Sequence, residues 1–186
     1  MKLILALGNP DARYDATRHN VGFWAVDEYV QAKGLGFTKA PKFKAEIAEF
    51  SESGEKIILA KPQTYYNLVG VSFRAIIDFY KIAPEDVLVV SDDLALPLGT
   101  VRTRVGGSDA GSNGIKSLIA HGGEATHRLR IGIANEKAEL IDKADFVLSK
   151  FNKEEAETLR EIASKIAEII DEFIAGSHEP TTHHHS

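Results

Sequence analysis

The feature that most constrains this chain is a pair of short, wholly apolar runs, each of which ends directly in polar loop residues. Leu3 to Leu7 is followed by Gly8-Asn9-Pro10, and Val87 to Val90 is followed by Ser91-Asp92-Asp93. An apolar run of this length, cut off by turn-forming residues, is typical of a fully buried strand. The two runs therefore predict two strands in the interior of the protein.

Helical periodicity alternates with further strand signals along the rest of the chain. Apolar residues recur at helical spacing in four segments, which are 21–33, 67–81, 113–120 and 154–174. Strands are predicted at 47–50 and 57–60, which a small polar loop joins into a hairpin, and at 101–105 and 129–133. This alternation predicts an α/β fold with a twisted mixed β-sheet flanked by helices.

The length of the chain limits the number of domains that it can form. The chain of 186 residues is long enough for one sizeable core and too short for two ordinary domains. We therefore expect a single domain over residues 1–176, where Gly176 ends the last helix. Residues 177–186 are polar and predicted to be disordered, and His183 to His185 are interpreted as a flexible tail or a tag remnant.

Composition excludes several classes of protein. The chain has no cysteine, which excludes disulfides, thiolate metal sites and a cysteine nucleophile, and this suits a cytoplasmic location. No apolar run approaches the roughly 20 residues that span a bilayer, so no membrane insertion is expected. No HExxH or paired-histidine spacing is present, so neither a metal site nor another cofactor is predicted.

Charge is unevenly distributed along the chain. The net charge is -5, but residues 1–134 carry 16 basic and 15 acidic residues, whereas residues 135–186 carry 6 and 12. A phosphate-binding surface is therefore possible on the larger part, and a scattered, solvated basic face is the equal alternative. The basic residues concerned are Lys39, Lys42, Lys44, Arg102, Arg104, Lys116, Arg128 and Arg130.

Polar side chains recur where the predicted strands end and where helices begin. They are Asn9, His19, Asn67, Asp92 and Asn113. Taken singly, each has an ordinary structural explanation as a turn or helix-capping residue. In an open α/β sheet, however, the loops beyond the carboxyl ends of the strands converge on one crevice, so these residues could line one site.

Five ordered blocks of the sequence resemble the bacterial-type peptidyl-tRNA hydrolase family. They cover LGNPDARYDATRHNVG (7–22), KPQTYYNLVG (61–70), SDDLALPLG (91–99), GGSDAGSNGIKSL (106–118) and HRLRIGI (127–133). The resemblance extends from Lys2 to about the end of the last helix. It implies an enzyme that hydrolyses the ester bond between a peptide and the 3′ end of tRNA, with peptidyl-tRNA as its partner. We further expect a monomer with no obligate protein partner.

The resemblance also implies roles for individual residues. His19 would be the general base that activates water, and Asp92 would accept a proton from its other ring nitrogen and so orient it. Asn9, Asn67 and Asn113 would pair with a peptide backbone whatever its side chains, since a carboxamide both donates and accepts. Asn9 matches the position implicated in separating peptidyl-tRNA from aminoacyl-tRNA, and one of the three amides would donate to the oxyanion.

Two aromatic residues match further positions of the family pattern, and two other residues differ from it. Tyr14 and Tyr65 match positions that contact the tRNA-bearing end of the substrate, where an aromatic face can stack on a base or ribose. The family usually has methionine where this chain has Tyr66, and histidine where it has Ser112. Both departures flank proposed substrate ligands, so they put the shape of the pocket in question.

Two other functions remain open from the sequence. Ala110-Gly111-Ser112-Asn113-Gly114 lies one residue off the GxSxG elbow of serine hydrolases, which would make Ser112 a nucleophile. The fold could also serve a non-enzymatic RNA-binding relative, although the presence of His19 and Asp92 argues against this. Replacing Ser112 by alanine would distinguish the first alternative, and an assay of peptide release would distinguish the second.

Overall fold

The computed structural model describes residues 1–185 of the chain, which form one α/β domain. Eight strands make up the sheet: β1 (Lys2–Ala6), β2 (Thr38–Ala40), β3 (Ala45–Glu52), β4 (Glu55–Pro62), β5 (Val87–Pro97), β6 (Thr100–Val105), β7 (His127–Ala134) and β8 (Thr182–His184). Five α-helices accompany them: α1 (Val21–Ala32), α2 (Val69–Tyr80), α3 (Asn113–Ala120), α4 (Lys143–Val147) and α5 (Lys153–Ala175).

The sheet is mixed, and its centre is parallel. Its strand order is β2-β3-β4-β1-β5-β7-β6-β8. Strands β4, β1, β5 and β7 run parallel, while β3 pairs antiparallel with β2 and β4 at one side, and β6 pairs antiparallel with β7 and β8 at the other. The predicted α/β fold with a mixed sheet flanked by helices is therefore confirmed.

Helices cover both faces of the sheet, and the alternation of side chains in β1 assigns them to two layers. Ile4 and Ala6 belong to a cluster that includes the buried faces of α1 and α5. Leu3, Leu5 and Leu7 point the other way, into a cluster with α2 and α3. Because successive side chains of a strand point to opposite faces, a wholly apolar run is what a strand covered on both sides requires.

The first turn of α1 lies very close to the carboxyl ends of the central strands. A Cβ atom added to Gly22 would lie 2.5 Å from the carbonyl oxygen of Val90 and 2.8 Å from that of Leu7. Only glycine allows this approach, because real Cβ atoms do not come so near to a backbone oxygen. The contact brings the turn that precedes α1, and therefore His19, over the ends of β1 and β5.

Four elements differ from the sequence-based expectations. Strand β5 does not stop at Val90 but continues to Pro97, because the parallel pairing with β7 extends through Asp92 and Asp93. The second helix begins at Val69 and not at Asn67, since residues 66–68 form a 3₁₀ turn. Helix α4 and strand β2 lie in segments where no regular element was expected.

The carboxyl-terminal segment also differs from the expected disordered tail. Thr103 N donates to the carbonyl oxygen of Thr181 at 2.8 Å, and residues 182–184 pair with β6 as strand β8. The outer edge of β6 would otherwise expose unpaired backbone groups, and a short polar strand satisfies them as readily as an apolar one. Residue 186, which the expectation included, lies outside the described residues.

Candidate active site

A cleft of about 1010 Å³ opens on the side of the sheet where β1 and β5 end. All seven residues predicted for the site line it, although they come from four separate blocks of the sequence. They are Asn9, Tyr14, His19, Tyr65, Asn67, Asp92 and Asn113. The convergence of the loops beyond the strand ends explains how residues so distant in sequence meet in one cleft.

His19 and Asp92 form a hydrogen-bonded pair in this cleft. Nδ1 of His19 donates to Oδ2 of Asp92 at 2.9 Å. The two side chains are 19% and 6% exposed, so the carboxylate is shielded while the imidazole remains accessible. With Nδ1 committed to the carboxylate, Nε2 is the ring nitrogen left to take a proton from a water molecule or substrate.

Tyr66 contacts both members of this pair. Its ring stacks on the imidazole of His19, with ring centroids 3.6 Å apart and planes inclined by 19°. Its hydroxyl donates to Oδ1 of Asp92 at 2.6 Å. Burial, followed by the charge of Asp92 and the hydrogen bond to it, raises the pKa of Tyr66 well above its ordinary value, so the hydroxyl stays protonated and remains a donor.

Asn9 is buried, and its hydrogen bonds determine which way its amide points. The backbone N–H of Tyr66 donates to Oδ1 of Asn9 at 2.8 Å. Because a backbone N–H can only donate, the carbonyl side of the amide must face Tyr66. The Nδ2 group of Asn9 is therefore the end that can donate to a ligand in the cleft, and no acceptor among residues 1–185 engages it.

Asn20 holds the backbone of Asn9 in place, and the sequence analysis did not single it out. Its Oδ1 accepts from Asn9 N and its Nδ2 donates to Asn9 O, both at 2.9 Å. Asn20 lies immediately after His19, so one short turn supplies both the imidazole and the support of Asn9. Its position directly after His19 in the sequence TRHN is the signal that could have identified it.

The turn that carries His19 is anchored by a buried ion pair. Nη1 and Nη2 of Arg18 donate to the two carboxylate oxygens of Glu155 at 2.6 Å and 2.9 Å. The guanidinium also lies over the rings of Phe146 and Phe151, at 4.6 Å and 5.0 Å from their centroids. Charge-assisted bidentate bonding and stacking together fix the turn against α4 and α5.

The remaining predicted residues lie at the rim of the cleft. Asn67 and Asn113 are exposed, the first in the 3₁₀ turn before α2 and the second at the first position of α3. Tyr65 is 49% exposed, and Tyr14 is half-buried beside Arg13. These amides and aromatic faces are accessible to a ligand that enters the cleft.

A group of three arginines lines another part of the same cleft: Arg104, Arg128 and Arg130. Arg128 is only 3% exposed, and its Nε and Nη2 have no hydrogen-bond partner in the described chain. Burial, and then the charges of Arg104 and Arg130, lower the pKa of Arg128. One buried and two half-buried guanidinium groups that repel one another favour the binding of an anion between them.

The lysines of the predicted basic surface lie away from the cleft. Lys39, Lys42 and Lys44 do not line the cleft, so only part of the predicted basic surface converges there.

Within residues 1–185, no cluster of three or more His, Asp and Glu side chains could hold a metal ion. No helix in that range is long and apolar enough to cross a membrane.

Comparisons with known proteins identify relatives of this chain. A family model described as peptidyl-tRNA hydrolase matches residues 3–185. The peptidyl-tRNA hydrolase of Desulfitobacterium hafniense is 49% identical over 166 residues, which cover 89% of this chain and 88% of that protein. The one from Exiguobacterium sibiricum is 46% identical over 175 residues, 94% of either chain.

A solved structure agrees with the sequence comparison. The crystal structure of peptidyl-tRNA hydrolase from Acinetobacter baumannii superposes with a TM-score of 0.85 at 32% identity. The match covers 95% of this chain and 89% of that one. Similarity therefore extends through the whole fold and includes every segment that contributes to the cleft.

Proposed function

This chain belongs to the peptidyl-tRNA hydrolase family, and on that premise we propose that His19 activates a water molecule to hydrolyse the ester bond of peptidyl-tRNA while Asp92 orients the imidazole. The family makes the chain a hydrolase of this ester. The observation that carries the assignment of roles is the hydrogen bond of 2.9 Å between His19 Nδ1 and Asp92 Oδ2 at the cleft.

In the proposed reaction, Nε2 of His19 removes a proton from water as the oxygen attacks the ester carbonyl. Asp92 accepts the hydrogen bond from Nδ1, keeps the imidazole in the tautomer whose Nε2 is free, and stabilises the imidazolium that forms. The imidazolium then gives its proton to the departing ribose oxygen. An ester leaving group is good enough that no covalent intermediate with the enzyme is needed.

The amides of the cleft are proposed to hold the peptide part of the substrate. Asn9 donates from Nδ2 to a carbonyl oxygen, because its other end is occupied by the N–H of Tyr66. Such a donor also stabilises the negative charge that develops on the ester oxygen during attack. Asn67 and Asn113 pair with backbone groups of the peptide, and Tyr14 and Tyr65 stack on the terminal nucleotide.

The arginine group is proposed to bind phosphates of the tRNA. Three guanidinium groups in one cleft, one of them buried with unpartnered N–H groups, suit the bidentate recognition of phosphate oxygens. We further propose that the enzyme acts in the cytoplasm, since its substrate arises at the ribosome. It would act as a monomer without an obligate protein partner, since one chain supplies every residue named above.

Ser112 supports this assignment over that of a serine hydrolase. Its hydroxyl accepts from Ile115 N–H at 3.3 Å as the cap of α3. His121 bonds instead to the backbone oxygen of Ser117, at 2.7 Å from its Nδ1. A serine engaged in capping, with the next histidine of the chain committed elsewhere, lacks the base that a nucleophile needs.

Release of the peptide from N-acetyl-aminoacyl-tRNA tests the proposal. We expect His19→Ala to lower kcat/KM by at least about 100-fold, because a positioned general base contributes roughly that much or more. Asp92→Asn should lower it less, and Ser112→Ala should retain most of the activity. His121→Ala is the matched control, since it removes an imidazole that lies outside the cleft lining.

Three results would contradict the assignment. Activity close to wild type in His19→Ala would exclude this histidine as the base. Complete loss of activity in Ser112→Ala, with the fold intact by circular dichroism, would favour the serine hydrolase. Binding of RNA by the wild type without any release of peptide would favour the non-enzymatic relative.

A further inference from the structure

The two positions at which this chain departs from the family pattern meet in one place. Tyr66 and Ser112 are 46 positions apart in the sequence, yet both line the cleft, and the ring of Tyr66 packs against Gly114 in the helix that Ser112 caps. Tyr66 reaches from there to Asp92 and lies flat on His19. The two departures therefore form one local arrangement beside the proposed general base.

The surrounding structure is shaped to hold the ring of Tyr66. The residue is 5% exposed, and its backbone N–H is fixed by Asn9 Oδ1 at 2.8 Å. A Cβ atom on Gly114 would lie 2.3 Å from Cε1 of Tyr66, so the ring packs where a side chain in the first turn of α3 would otherwise be. The bond to the backbone N–H and the close packing against Gly114 together fix the position of the ring.

The hydrogen bonds of Asp92 are divided between the two residues. Oδ2 accepts from His19 Nδ1 at 2.9 Å, and Oδ1 accepts from the hydroxyl of Tyr66 at 2.6 Å. A carboxylate with one fixed partner can still rotate about its Cβ–Cγ bond, whereas two partners at opposite oxygens fix its plane. The short bond from Tyr66 also draws part of the negative charge towards the second oxygen.

We propose that Tyr66 is a positioning residue of the hydrolysis, which holds the Asp92 carboxylate and the His19 imidazole in their reactive orientation through one hydrogen bond and one stacked ring. This role rests on the proposed function, because it requires His19 to be the base. Tyr66 itself transfers no proton, since its hydroxyl is both buried and bonded to a carboxylate. It acts through Asp92 and through the orientation of the ring.

The proposal predicts different effects for two substitutions of the same residue. Tyr66→Phe keeps the stacked ring and removes only the hydrogen bond to Asp92, so we expect kcat to fall about tenfold with little change in KM. Tyr66→Met removes the ring as well, and kcat should fall further. Tyr80→Phe is the matched control, because it removes a phenolic hydroxyl that lies outside the cleft lining.

The pH profile distinguishes positioning from a merely structural role. Without the bond from Tyr66, the whole charge of Asp92 acts on the imidazole of His19, so we expect the acidic limb of kcat/KM to move to higher pH. The other charged groups that line the cleft with the pair are Asp93, whose Oδ2 lies 3.2 Å from Arg130 Nε, and Arg104, Asp109, Arg128, Glu139 and Lys143. Tyr66→Phe leaves each of these unchanged.

A double-mutant cycle with Asp92 completes the test. If Tyr66 acts through Asp92, then Tyr66→Phe should reduce kcat far less in an Asp92→Asn background than in the wild type. Additive effects in this cycle, or a Tyr66→Phe variant with wild-type kcat and pH profile, would overturn the positioning role. His19→Ala is measured in parallel: if it is inactive, such a result contradicts the role of Tyr66 alone, whereas an active His19→Ala contradicts the proposed function itself.

Discussion

At the scale of single residues, the site depends on side chains that hold other side chains. Asn20 does not face the ligand, yet both of its polar ends bond to the backbone of Asn9. Asn9 in turn is held by Tyr66 N–H, and Tyr66 is bonded to Asp92. These bonds link the amide proposed to bind substrate with the pair proposed to activate water, so their geometries depend on one another.

Replacing Asn20 by alanine would break this linkage at its buried end. The N–H and C=O groups of Asn9 would lose their partners, and we expect the free energy of unfolding to fall by about 2–4 kcal/mol, since a buried polar group left unpaired costs roughly 1–3 kcal/mol. The value of kcat/KM should also fall, because Asn9 would no longer be held. Denaturant titration and the peptide-release assay measure the two effects.

Gln31→Ala provides the control for this change. Gln31 lies on the same helix α1 but is exposed, so its removal should change neither stability nor activity appreciably. A stable and fully active Asn20→Ala variant would show that Asn9 needs no support from the turn.

At the scale of secondary structure, Glu155 joins the start of α5 to the turn that carries His19. Its carboxylate accepts from Asn152 N at 3.0 Å, and Asn152 Oδ1 accepts from Glu155 N at 2.8 Å, which makes a capping box. The same carboxylate binds Arg18 and accepts from Asn135 Nδ2 at 3.0 Å, just beyond the end of β7. One side chain thus connects a helix start, a strand end and the turn that carries His19.

Glu155→Gln should destabilise the protein by about 3 kcal/mol, since removing one partner of a buried ion pair leaves the other charge uncompensated. The side chains of Arg18 and Glu155 are only 6% and 10% exposed. Glu154→Gln makes the same change one residue earlier, at an exposed position, and should change stability by less than about 0.5 kcal/mol. Thermal or denaturant unfolding compares the two variants, and equal effects would contradict this account.

The pH dependence of stability gives the same contact a second test. Burial disfavours the ionised form of Glu155, but the bonds from Arg18, Asn152 and Asn135 outweigh it and lower its pKa below the ordinary value of 4.5. The unfolded chain therefore takes up this proton at a higher pH than the folded one does. The stabilisation is complete above about pH 4.5 and is lost as the pH falls through the folded pKa, a loss that Glu155→Gln should lack.

At the scale of the whole molecule, the net charge and the site have opposite signs. The chain carries a net charge of -5, with the acidic excess in residues 135–186. The cleft nevertheless contains Arg104, Arg128 and Arg130. A polyanion such as tRNA would therefore be attracted to one local region of a protein that repels it elsewhere, and such binding weakens steeply with added salt.

Arg104→Gln and Arg130→Gln should each weaken tRNA binding and make it less sensitive to salt. Each phosphate contact that is lost lowers the slope of log K against log salt concentration by about 0.7–0.9. Arg74→Gln is the control, because Arg74 lies outside the cleft lining and is paired with Asp78. Fluorescence anisotropy with labelled tRNA over a range of salt concentrations measures the slopes, and identical slopes for all three variants would contradict phosphate binding by the cleft.

Most of the regular structure, and the residues that line the cleft, could be predicted from the sequence. The apolar runs of β1 and β5 and the periodicity of α5 are local patterns, and their burial follows from which side chains can leave water. The ordered motifs identified His19, Asp92 and Asn9 through resemblance. Periodicity did not show that β5 continues through Asp92, because strand residues at the open end of a sheet are polar and are held by pairing with β7.

Only the tertiary structure decided how these residues act on one another. A hydrogen bond depends on distance and angle between two atoms, and neither is encoded in the spacing of residues along the chain. For this reason the resemblance marked Tyr66 only as a difference from the family pattern, whereas the structure shows that it contacts both His19 and Asp92. In the same way, only the structure shows that Arg18 binds Glu155, 137 positions away at the start of a helix. For the same reason the polar residues 182–184, which cannot form a core, become a strand where the edge of β6 lacks a partner.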